Sequence, residues 1–246
     1  MPALDLPTPE RALAIGAHPD DIEFGAGATL AKWAAAGCEV SLLICTDGSK
    51  GTWDPSADLA ALVATRQAEA RAAAAALGAT GEVVFLGQVD GELANERPIR
   101  SEIARWIRVL RPDVLLGHDP WKRYRLHPDH RAAGWLTTDA LVAARDPHFF
   151  PEHGIAHHRP SALLLFEAED PDHAEGVGER DLDAKLASLE AHRSQHESTM
   201  FITDDPATSA AERARFHAEI RGRAAEVGAW AGLALAERFR FMPTDR

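Results

Sequence analysis

Short apolar segments alternate with longer helical segments along the first half of the chain, and this alternation constrains the fold more than any other feature. Four strand-like runs cover residues 11–17, 39–45, 82–86 and 113–117. Helical segments are predicted between them, at 25–36, 58–77 and 98–110. Parallel strands need a crossover of about a dozen residues, usually a helix, and they are buried on both faces. The sequence therefore predicts an α/β fold with a mostly parallel central sheet.

The second half of the chain continues this pattern less regularly. We predict a helix at 131–145, a strand at 162–166, a polar loop at 168–181, and helices near 182–199 and 207–228. The last apolar stretch, ALAERFRFM, is compatible with a short helix or a strand. No repeat or linker is visible, so we expect a single domain over residues 1–246, with a core at about 10–200 and C-terminal helices at about 182–246.

Charge and hydropathy argue against several classes of partner. Asp plus Glu number 38 against 26 Lys plus Arg, and the formal charge of −12 disfavours binding to nucleic acid or to an anionic membrane surface. No apolar run approaches the roughly 18 residues of a transmembrane helix. The first residues, MPALDLPTPE, lack the basic start and apolar stretch of a signal peptide. We therefore expect a cytoplasmic protein without an integral membrane segment.

Two cysteines, Cys38 and Cys45, lie in one predicted strand region. Seven strand steps would separate them by roughly 23 Å. A disulfide requires Cα atoms within about 7 Å of each other. The strand prediction therefore excludes an intrachain disulfide.

Charged or glycine-containing segments follow all four predicted strands. In open α/β sheets, ligands bind outside the carboxyl ends of the strands. We therefore expect the binding or catalytic site at that edge of the sheet. The residues concerned are His18, Asp20, Asp21, Asp47, Asp90, His118, Asp119 and the HPDH segment at 127–130.

The segments AHPDD and HPDH carry the residue types and spacing of a metal site. Catalytic zinc takes three protein ligands from His, Asp, Glu or Cys and leaves one position for water. His18 and Asp21 are three residues apart across a proline turn, and His127 and His130 share one face of a predicted helix start. The spacing predicts His18, Asp21 and one of the two later histidines as ligands. Asp20 and the other histidine remain for acid–base chemistry, although each segment alone is also compatible with a helix cap.

Six segments in chain order also carry a family resemblance. They are AHPDDIEFGAGATLAKWAAAGCEVSLLICTDGSKGT, the TRQAEARAAAAALG helix, LGQVDGEL, RPDVLLGHDP, HPDHRAAG and HRSQ, between about residue 12 and 196. Together they resemble the PIG-L/LmbE-like family of metal-dependent N-deacetylases. The resemblance implies a Rossmann-like fold and hydrolysis of an N-acetyl group, usually on a glucosamine unit, with catalytic zinc or sometimes iron. Many relatives read AHPDDE, whereas Ile22 follows the second aspartate here, and this leaves the substrate subgroup open.

The resemblance implies a role for each residue of the predicted metal site. His18, Asp21 and His130 are the implied metal ligands. Asp20 is the implied general base, and His127 is implied to lie beside the oxyanion of the reaction. The implied partner is a small N-acetylated amino-sugar compound, and the number of subunits, including a homo-oligomer, stays open.

Three further residues are candidates for substrate binding. Arg66 matches an arginine that contacts substrate in relatives, although an ion pair with Glu69 is the alternative. Asp47 and Asp90 each precede a glycine, so they either bind a sugar hydroxyl or form turns. Two histidines have no assigned role, His118 and His192.

Two other functions fit the same residue types. Two histidines and one carboxylate also form the metal site of non-haem Fe(II) oxygenases, although those enzymes are usually all-β. A non-catalytic sugar- or metal-binding module is the second alternative. Such a module would show the loss of a ligand or of the base, and neither is missing from this sequence.

Overall fold

The computed structural model describes residues 2–244, and its eight strands form one sheet. In chain order these strands are β1 (Ala3–Leu4), β2 (Arg11–Gly16), β3 (Glu39–Thr46), β4 (Val83–Gln88), β5 (Val114–His118), β6 (Ala162–Phe166), β7 (His173–Gly176) and β8 (Ala236–Pro243). The longer helices are α1 (Asp21–Ala35), α2 (Leu59–Ala76), α3 (Arg97–Leu110), α4 (Pro128–Arg145), α5 (Glu179–Ala191) and α6 (Ser209–Ala231). Three single-turn helices are found at Pro151–His153, Arg193–Gln195 and His196–Met200.

The strands lie in the order β1-β7-β8-β6-β5-β2-β3-β4. Strands β2 to β6 pair in parallel with one another, and β1 pairs in parallel with β7. Strand β8 runs antiparallel to both β6 and β7. The predicted α/β class with a mostly parallel, Rossmann-like sheet is confirmed.

Two hydrophobic clusters cover the two faces of the sheet. Because strand side chains alternate between faces, Leu13 and Ile15 of β2 pack towards α3 and α4, whereas Ala12 and Ala14 pack towards α1. Trp33 of α1 is completely buried in the second cluster. Burial on both faces explains why β2, β3, β5 and β6 are nearly continuous apolar runs in the sequence.

The chain reverses its direction of progress through the sheet between β2 and β5. Strands β3 and β4 lie on one side of this point, and β6 lies on the other. Such a switch point leaves a crevice outside the carboxyl ends of the two strands, where ligands bind in open α/β sheets. His18 follows β2 and His118 ends β5, so both histidines lie at this crevice.

The structure differs from the prediction after residue 167. The segment 168–181 was predicted as a polar loop, but it contains β7, in which His173 and Glu175 are buried. The Glu175 carboxylate is paired inside the protein, since it contacts His173 Nε2 at 2.7 Å and Lys32 Nζ at 2.6 Å. The polar sequence of β7 is therefore the reason why this strand was predicted as a loop.

The C-terminal segment, which we predicted as helices followed by a stretch that is either a helix or a strand, contains both types of element. Its last apolar stretch is β8, which lies between β6 and β7 rather than outside the sheet. The helix predicted at 182–199 ends at Ala191 and continues as two single turns. Residues 1, 245 and 246 of the predicted domain lie outside the described residues.

A buried ion pair joins the last strand to the first helix. Lys185 Nζ of α5 lies 2.6 Å from Glu237 Oε1 of β8 and 2.8 Å from the carbonyl oxygen of Phe24. The Glu237 carboxylate also accepts the backbone N–H groups of Ala28 at 3.2 Å and Thr29 at 2.8 Å. Helix α1 is thereby fixed to the C-terminal strand.

Cys38 and Cys45 are buried free thiols, which confirms that they form no intrachain disulfide. Within residues 2–244, we find no helix that combines the length and the apolar character needed to cross a membrane.

Candidate metal centre

The turn between β2 and α1 presents two adjacent aspartates in different directions. Asp20 has a φ of 115°, a left-handed conformation that non-glycine residues rarely adopt. Such a conformation costs about 1–3 kcal/mol and persists only where the surroundings enforce it. As a result, Asp21 faces a group of histidines, whereas Asp20 faces Arg66 of α2.

Asp21 contacts three histidines with one carboxylate. Its Oδ2 atom lies 3.2 Å from His18 Nδ1 and 3.2 Å from His118 Nε2. Its Oδ1 atom lies 3.2 Å from His130 Nε2. The three predicted metal ligands, His18, Asp21 and His130, are therefore brought together from two segments more than a hundred residues apart.

The second nitrogen of His18 faces two more carboxylates. His18 Nε2 lies 3.1 Å from Asp129 Oδ2 and 3.3 Å from Asp90 Oδ1. Asp129 is fully buried and also accepts the backbone N–H groups of Gly91 at 2.6 Å and Leu93 at 3.1 Å. The sequence interpretation did not single out Asp129, although it is the aspartate of HPDH.

The start of α4 presents the two histidines of HPDH on one side. His127 is the N-terminal capping residue, and its Nδ1 accepts the backbone N–H of Asp129 at 3.3 Å. The rings of His127 and His130 stack with their centroids 4.8 Å apart. Nitrogen atoms of His18, His127 and His130 lie within 4.8 Å of one another.

The donor set of this cluster fits a divalent metal ion. Three overlapping groups each have ligand atoms within 4.8 Å of one another: His18–His127–His130, Asp21–His118–His130 and His18–Asp90–Asp129. Burial opposes protonation of His18, but hydrogen bonds to Asp129 and Asp21 outweigh burial and raise its pKa to about 12. The carboxylates of the cluster therefore stabilise a positive charge at this position, which a cation-binding site also requires. Mixed histidine and carboxylate ligands suit zinc and iron.

Arg66 lies directly behind Asp20. It is 2% exposed, and its guanidinium donates to the carbonyl oxygens of Gly48 at 2.9 Å and Pro19 at 2.6 Å. Its Nη2 lies 3.7 Å from Asp20 Oδ2. The alternative ion pair with Glu69 is not formed, because Glu69 accepts hydrogen bonds from Ser194 instead.

The two other substrate-binding candidates are placed differently. Asp90 lines the cavity at the cluster, and its Oδ2 accepts the backbone N–H of Lys50 at 3.0 Å. Asp47 is absent from the residues that line this cavity. Its Oδ1 accepts the backbone N–H groups of Ser49 at 2.9 Å and Asp90 at 3.1 Å. Asp47 therefore stabilises the turn, which is the alternative that its Asp-Gly sequence left open.

A cavity of about 600 Å³ opens above the cluster. One side is polar and includes Asp20, Arg66 and Asp90. The opposite side is largely apolar and comes from α1, from the turn before residue 202, and from α6. Sequence reasoning missed this wall, whose apolar members are Phe24, Met200, Phe201, Phe216 and Ile220.

His118 and Glu167 support the histidines from the side of β5 and β6. His118 is fully buried, and its Nδ1 lies 3.2 Å from Glu167 Oε2. Arg125 Nη1 lies 2.6 Å from the same oxygen and 2.7 Å from His130 Nδ1. His118 thus contacts Asp21 rather than ending the strand without a partner. Sequence reasoning missed Glu167, because this residue belongs to no recognisable sequence motif. Its backbone has a φ of 54°.

His192 lies behind the same turn and is completely buried. Its Nε2 is 3.6 Å from Glu23 Oε1, and neither ring nitrogen makes a hydrogen bond to a described residue. Gln195, three residues later in the same HRSQ segment, lines the cavity and donates to the carbonyl oxygen of Gly51 at 3.0 Å. The segment thus packs against the two loops that contain Asp20 and Gly51.

Comparisons with known proteins agree with this geometry. A protein-family model described as "PIG-L: GlcNAc-PI de-N-acetylase" matches residues 13–141, just over half of the chain. The diacetylchitobiose deacetylase of Thermococcus kodakarensis is 31% identical over 237 residues, which cover 95% of this chain and 84% of that protein.

A second relative and a solved structure extend the comparison. The 1D-myo-inositol 2-acetamido-2-deoxy-alpha-D-glucopyranoside deacetylase 1 of Catenulispora acidiphila is 36% identical over 168 residues, or 58% of this chain. The match spans only 52% of that relative's length. The structure of N,N'-diacetylchitobiose deacetylase from Pyrococcus horikoshii, complexed with its inhibitor, superposes with a TM-score of 0.83 at 29% identity. This superposition covers 96% of this chain and 84% of that one.

Proposed function

The chain belongs to the PIG-L family, and we therefore propose that it hydrolyses the N-acetyl group of an acetylated amino sugar as a zinc-dependent N-deacetylase. The relatives described above are deacetylases of acetylated amino sugars. One observation carries the proposal for this chain. Asp20 lines the same cavity as the histidine–aspartate cluster but takes no part in the cluster. A carboxylate that lies beside a metal site without being one of its ligands is what hydrolysis requires of a general base.

We assign His18, Asp21 and His130 as the residues that would hold the ion. The Asp21 carboxylate contacts both histidines, and the three side chains come from the two motifs that carry the family resemblance. This ligand set suits Zn²⁺, and Fe²⁺ also accepts it. When bound, such an ion polarises the acetamide carbonyl and increases the acidity of water in the site.

Asp20 is the proposed general base. Burial raises the pKa of Asp20 above the usual range for an aspartate, and the charge of Arg66 limits this rise. A base with a raised pKa accepts a proton from water more readily while it stays largely ionised near neutral pH. Arg66 also fixes the position of this carboxylate, because it binds the carbonyl oxygen of Pro19.

His127 is the proposed donor to the oxyanion. Burial and the neighbouring His18 and His130 lower the pKa of His127, so the ring is neutral at pH 7. Its Nδ1 accepts the Asp129 N–H, and the single ring proton therefore lies on Nε2. A neutral Nε2–H group that lines the cavity can donate to the oxygen on which negative charge develops.

The proposed reaction transfers one proton of water through Asp20 to the departing nitrogen. The oxygen of water forms a bond to the acetamide carbon, and Asp20 takes one proton from that water. The carbon–nitrogen bond then breaks, and the departing nitrogen receives the proton held by Asp20. The acid product gives its remaining proton to the amine, so the products are acetate and an ammonium group on the sugar.

We further propose that the protein works in the cytoplasm on a small-molecule substrate. Two buried free thiols agree with a reducing compartment. A charge of −12 agrees with the absence of a nucleic-acid partner. A homo-oligomer is compatible with the sequence, and molar-mass measurement in solution tests for it.

Family membership favours deacetylation over the two other functions. An Fe(II) oxygenase would consume O₂ in the presence of a 2-oxo acid, and electrode measurements would detect that consumption. A binding module would retain metal and bind acetylated sugars without releasing amine.

A free-amine assay tests the proposed function. The protein is purified without added metal, its metal content is measured, and it is incubated with N-acetylglucosamine, diacetylchitobiose and an N-acetylglucosaminyl-inositol. We expect amine and acetate in equal amounts, loss of activity with a chelator, and recovery with Zn²⁺ or Fe²⁺. Metal-loaded protein that releases no amine from the whole panel would contradict the proposal and favour the binding module.

A further inference from the structure

The two oxygen atoms of the Asp21 carboxylate have different surroundings. Oδ2 accepts the backbone N–H of His18 at 2.7 Å, and it also contacts His118 Nε2 and His18 Nδ1, each at 3.2 Å. Oδ1 faces His130 Nε2 at 3.2 Å and accepts no backbone N–H group among residues 2–244. One oxygen is therefore held by the turn and by β5, whereas the other faces a proposed ligand histidine.

His118 reaches Oδ2 of Asp21 from the end of β5. Its backbone is fixed, because β5 pairs in parallel with both β2 and β6. Its buried ring stacks on His130 with the centroids 4.4 Å apart and meets the ring of Phe166 edge-on at 4.6 Å. These contacts restrict the orientation of the imidazole.

The other nitrogen of the His118 ring contacts Glu167. His118 Nδ1 lies 3.2 Å from Glu167 Oε2, and Arg125 Nη1 lies 2.6 Å from the same oxygen. Glu167 adopts a φ of 54°, a left-handed conformation that non-glycine residues rarely adopt. Such a backbone persists only where its surroundings enforce it. Glu167 therefore fixes which ring nitrogen of His118 faces Asp21.

The partners of His118 indicate which atoms donate. Ionised carboxylates only accept hydrogen bonds, so a ring between Glu167 and Asp21 donates through both nitrogens. The backbone N–H of Ala17 also approaches His118 Nε2, at 3.3 Å. If Nε2 kept a lone pair for that N–H, it could instead bind the ion itself. The contact with Asp21 is favoured, because hydrogen bonds to a charged group are about twice as strong as neutral ones.

We propose that His118 holds Oδ2 of Asp21, so that Asp21 binds the ion through Oδ1 alone, and that Glu167 orients the His118 ring for this contact. His118 and Glu167 are then positioning residues for a ligand. Ligation through one oxygen leaves a position free at the ion, which hydrolytic sites keep for water. This inference rests on the proposed function for the assignment of His18, Asp21 and His130 as ligands.

Two amide substitutions separate the roles of the two ring nitrogens. The amide nitrogen of glutamine reaches the place of imidazole Nε2, whereas that of asparagine reaches the place of Nδ1. His118→Gln therefore retains a donor to Asp21, and His118→Asn loses it. Competition with a chelator measures the affinity of each protein for Zn²⁺, and absorption spectroscopy of the Co²⁺-loaded protein reports the coordination number.

We expect His118→Asn to lower the affinity for Zn²⁺ about tenfold, since loss of such an outer partner typically costs about 10–100-fold. The d–d absorption of Co²⁺ should weaken, because the released Oδ2 becomes an additional ligand. His118→Gln should keep the wild-type spectrum and an affinity within about threefold of the wild type. Glu167→Ala removes a partly exposed side chain, so it is a second variant in case His118→Asn does not fold. It should also lower the affinity and weaken the absorption.

His173 provides the matched control. It is likewise a buried strand histidine, and its Nε2 lies 2.7 Å from a carboxylate oxygen of Glu175. It belongs to β7 and to none of the three groups that could hold an ion. His173→Asn should leave the affinity and the spectrum unchanged. Equal effects of His118→Asn and His173→Asn would overturn the proposal.

The glutamine variant distinguishes a positioning role from direct ligation. A large loss of affinity and an altered spectrum in both His118→Gln and His118→Asn would overturn the proposal, because His118 would then be a ligand itself. None of these measurements requires turnover. Protein that shows the expected pattern but releases no amine would refute the proposed deacetylation and still support the role of His118.

Discussion

Glu237 Oε1 lies 2.6 Å from Lys185 Nζ, and both side chains are more than nine-tenths buried. The same carboxylate accepts two backbone N–H groups of α1, the helix that begins at Asp21. The contact therefore connects the C-terminal strand with the helix that begins at the histidine–aspartate cluster. Its energetic role follows from its burial, since a charge left alone in such a place is costly.

We predict that Lys185→Met strongly destabilises the protein. It leaves Glu237 buried without its counter-charge, and removal of one partner from a buried pair typically costs about 3–5 kcal/mol. Denaturant titration measures this change. The double variant with Glu237→Leu should recover part of the loss, because neither charge then remains.

The control for that experiment lies on the same strand. Arg240 of β8 pairs with Asp172 at 3.0 Å, but both side chains are exposed by more than 40%. Arg240→Met should change stability by about 1 kcal/mol or less, as is usual for surface pairs. Equal losses for Arg240→Met and Lys185→Met would show that the buried pair has no special importance.

Asp20→Asn should abolish most turnover without loss of metal. Asparagine retains the size of the side chain but cannot take a proton from water, and general-base catalysis typically contributes about 10²–10⁴-fold. Mass spectrometry measures whether the metal content is retained, and an amine-release assay measures the loss of kcat. Retention of a near-normal kcat would refute the assignment of the base.

Asp47→Asn provides a matched control for the same chemical change. Asp47 Oδ1 accepts two backbone N–H groups, and an asparagine oxygen can accept them equally well. The cavity lining does not include this residue. We therefore expect kcat and KM within about twofold of the wild type, because no proton-accepting role is lost. A large increase in KM would instead restore Asp47 as a substrate-binding residue.

Arg66→Lys should lower kcat about a hundredfold. A single ammonium group cannot reproduce the planar guanidinium that binds Gly48 and Pro19 and stands beside Asp20. Displacement of a catalytic group by about 1 Å can cost this much. Arg71→Lys, on the exposed side of the same helix, serves as the control and should be nearly neutral.

The split between kcat and KM distinguishes two roles for Arg66. A fall in kcat with little change in KM indicates that Arg66 positions Asp20. A rise in KM alone would indicate direct substrate binding, as the sequence resemblance implies.

Crowding at Gly51 gives an independent check, since a Cβ atom there would collide with the Arg66 guanidinium. Gly51→Ala should therefore also lower kcat.

Both thiols should resist alkylation in the folded protein. Burial and, secondarily, the charge of Asp113 raise the pKa of Cys38 to about 11, and burial also raises the pKa of Cys45. A raised pKa lowers the fraction of reactive thiolate at pH 8. Mass spectrometry after iodoacetamide treatment should show no label under native conditions and two labels after unfolding. Rapid native labelling would contradict the buried positions.

The sequence predicted the centre of the sheet and the meeting of the two histidine–aspartate motifs for one physical reason. Strands buried on both faces must be continuously apolar, so β2, β3 and β5 were visible without any tertiary information. Their carboxyl ends meet at one edge, and the motif residues that follow them therefore come together. The contact between Asp21 and His130 is the direct result.

Other features depended on contacts that local sequence does not encode. Asp129 joins the site through backbone groups of Gly91 and Leu93, which lie in a separate loop. Glu167 is an isolated acid whose partners come from β5 and from the loop before α4. Strand β7 contains Glu175, whose carboxylate is paired with the distant Lys32 and with His173 of the same strand, and the polarity of β7 therefore resembled that of a loop.

The insertion of β8 between β6 and β7 has a consequence for biosynthesis. While a ribosome is still translating the segment before residue 236, β7 and β1 have only each other as strand partners. They can join the growing sheet only after residues 236–243 emerge, and until then the edge of β6 stays open to unwanted association. Nascent chains stalled before this strand should therefore recruit chaperones, whereas chains stalled well after it should not.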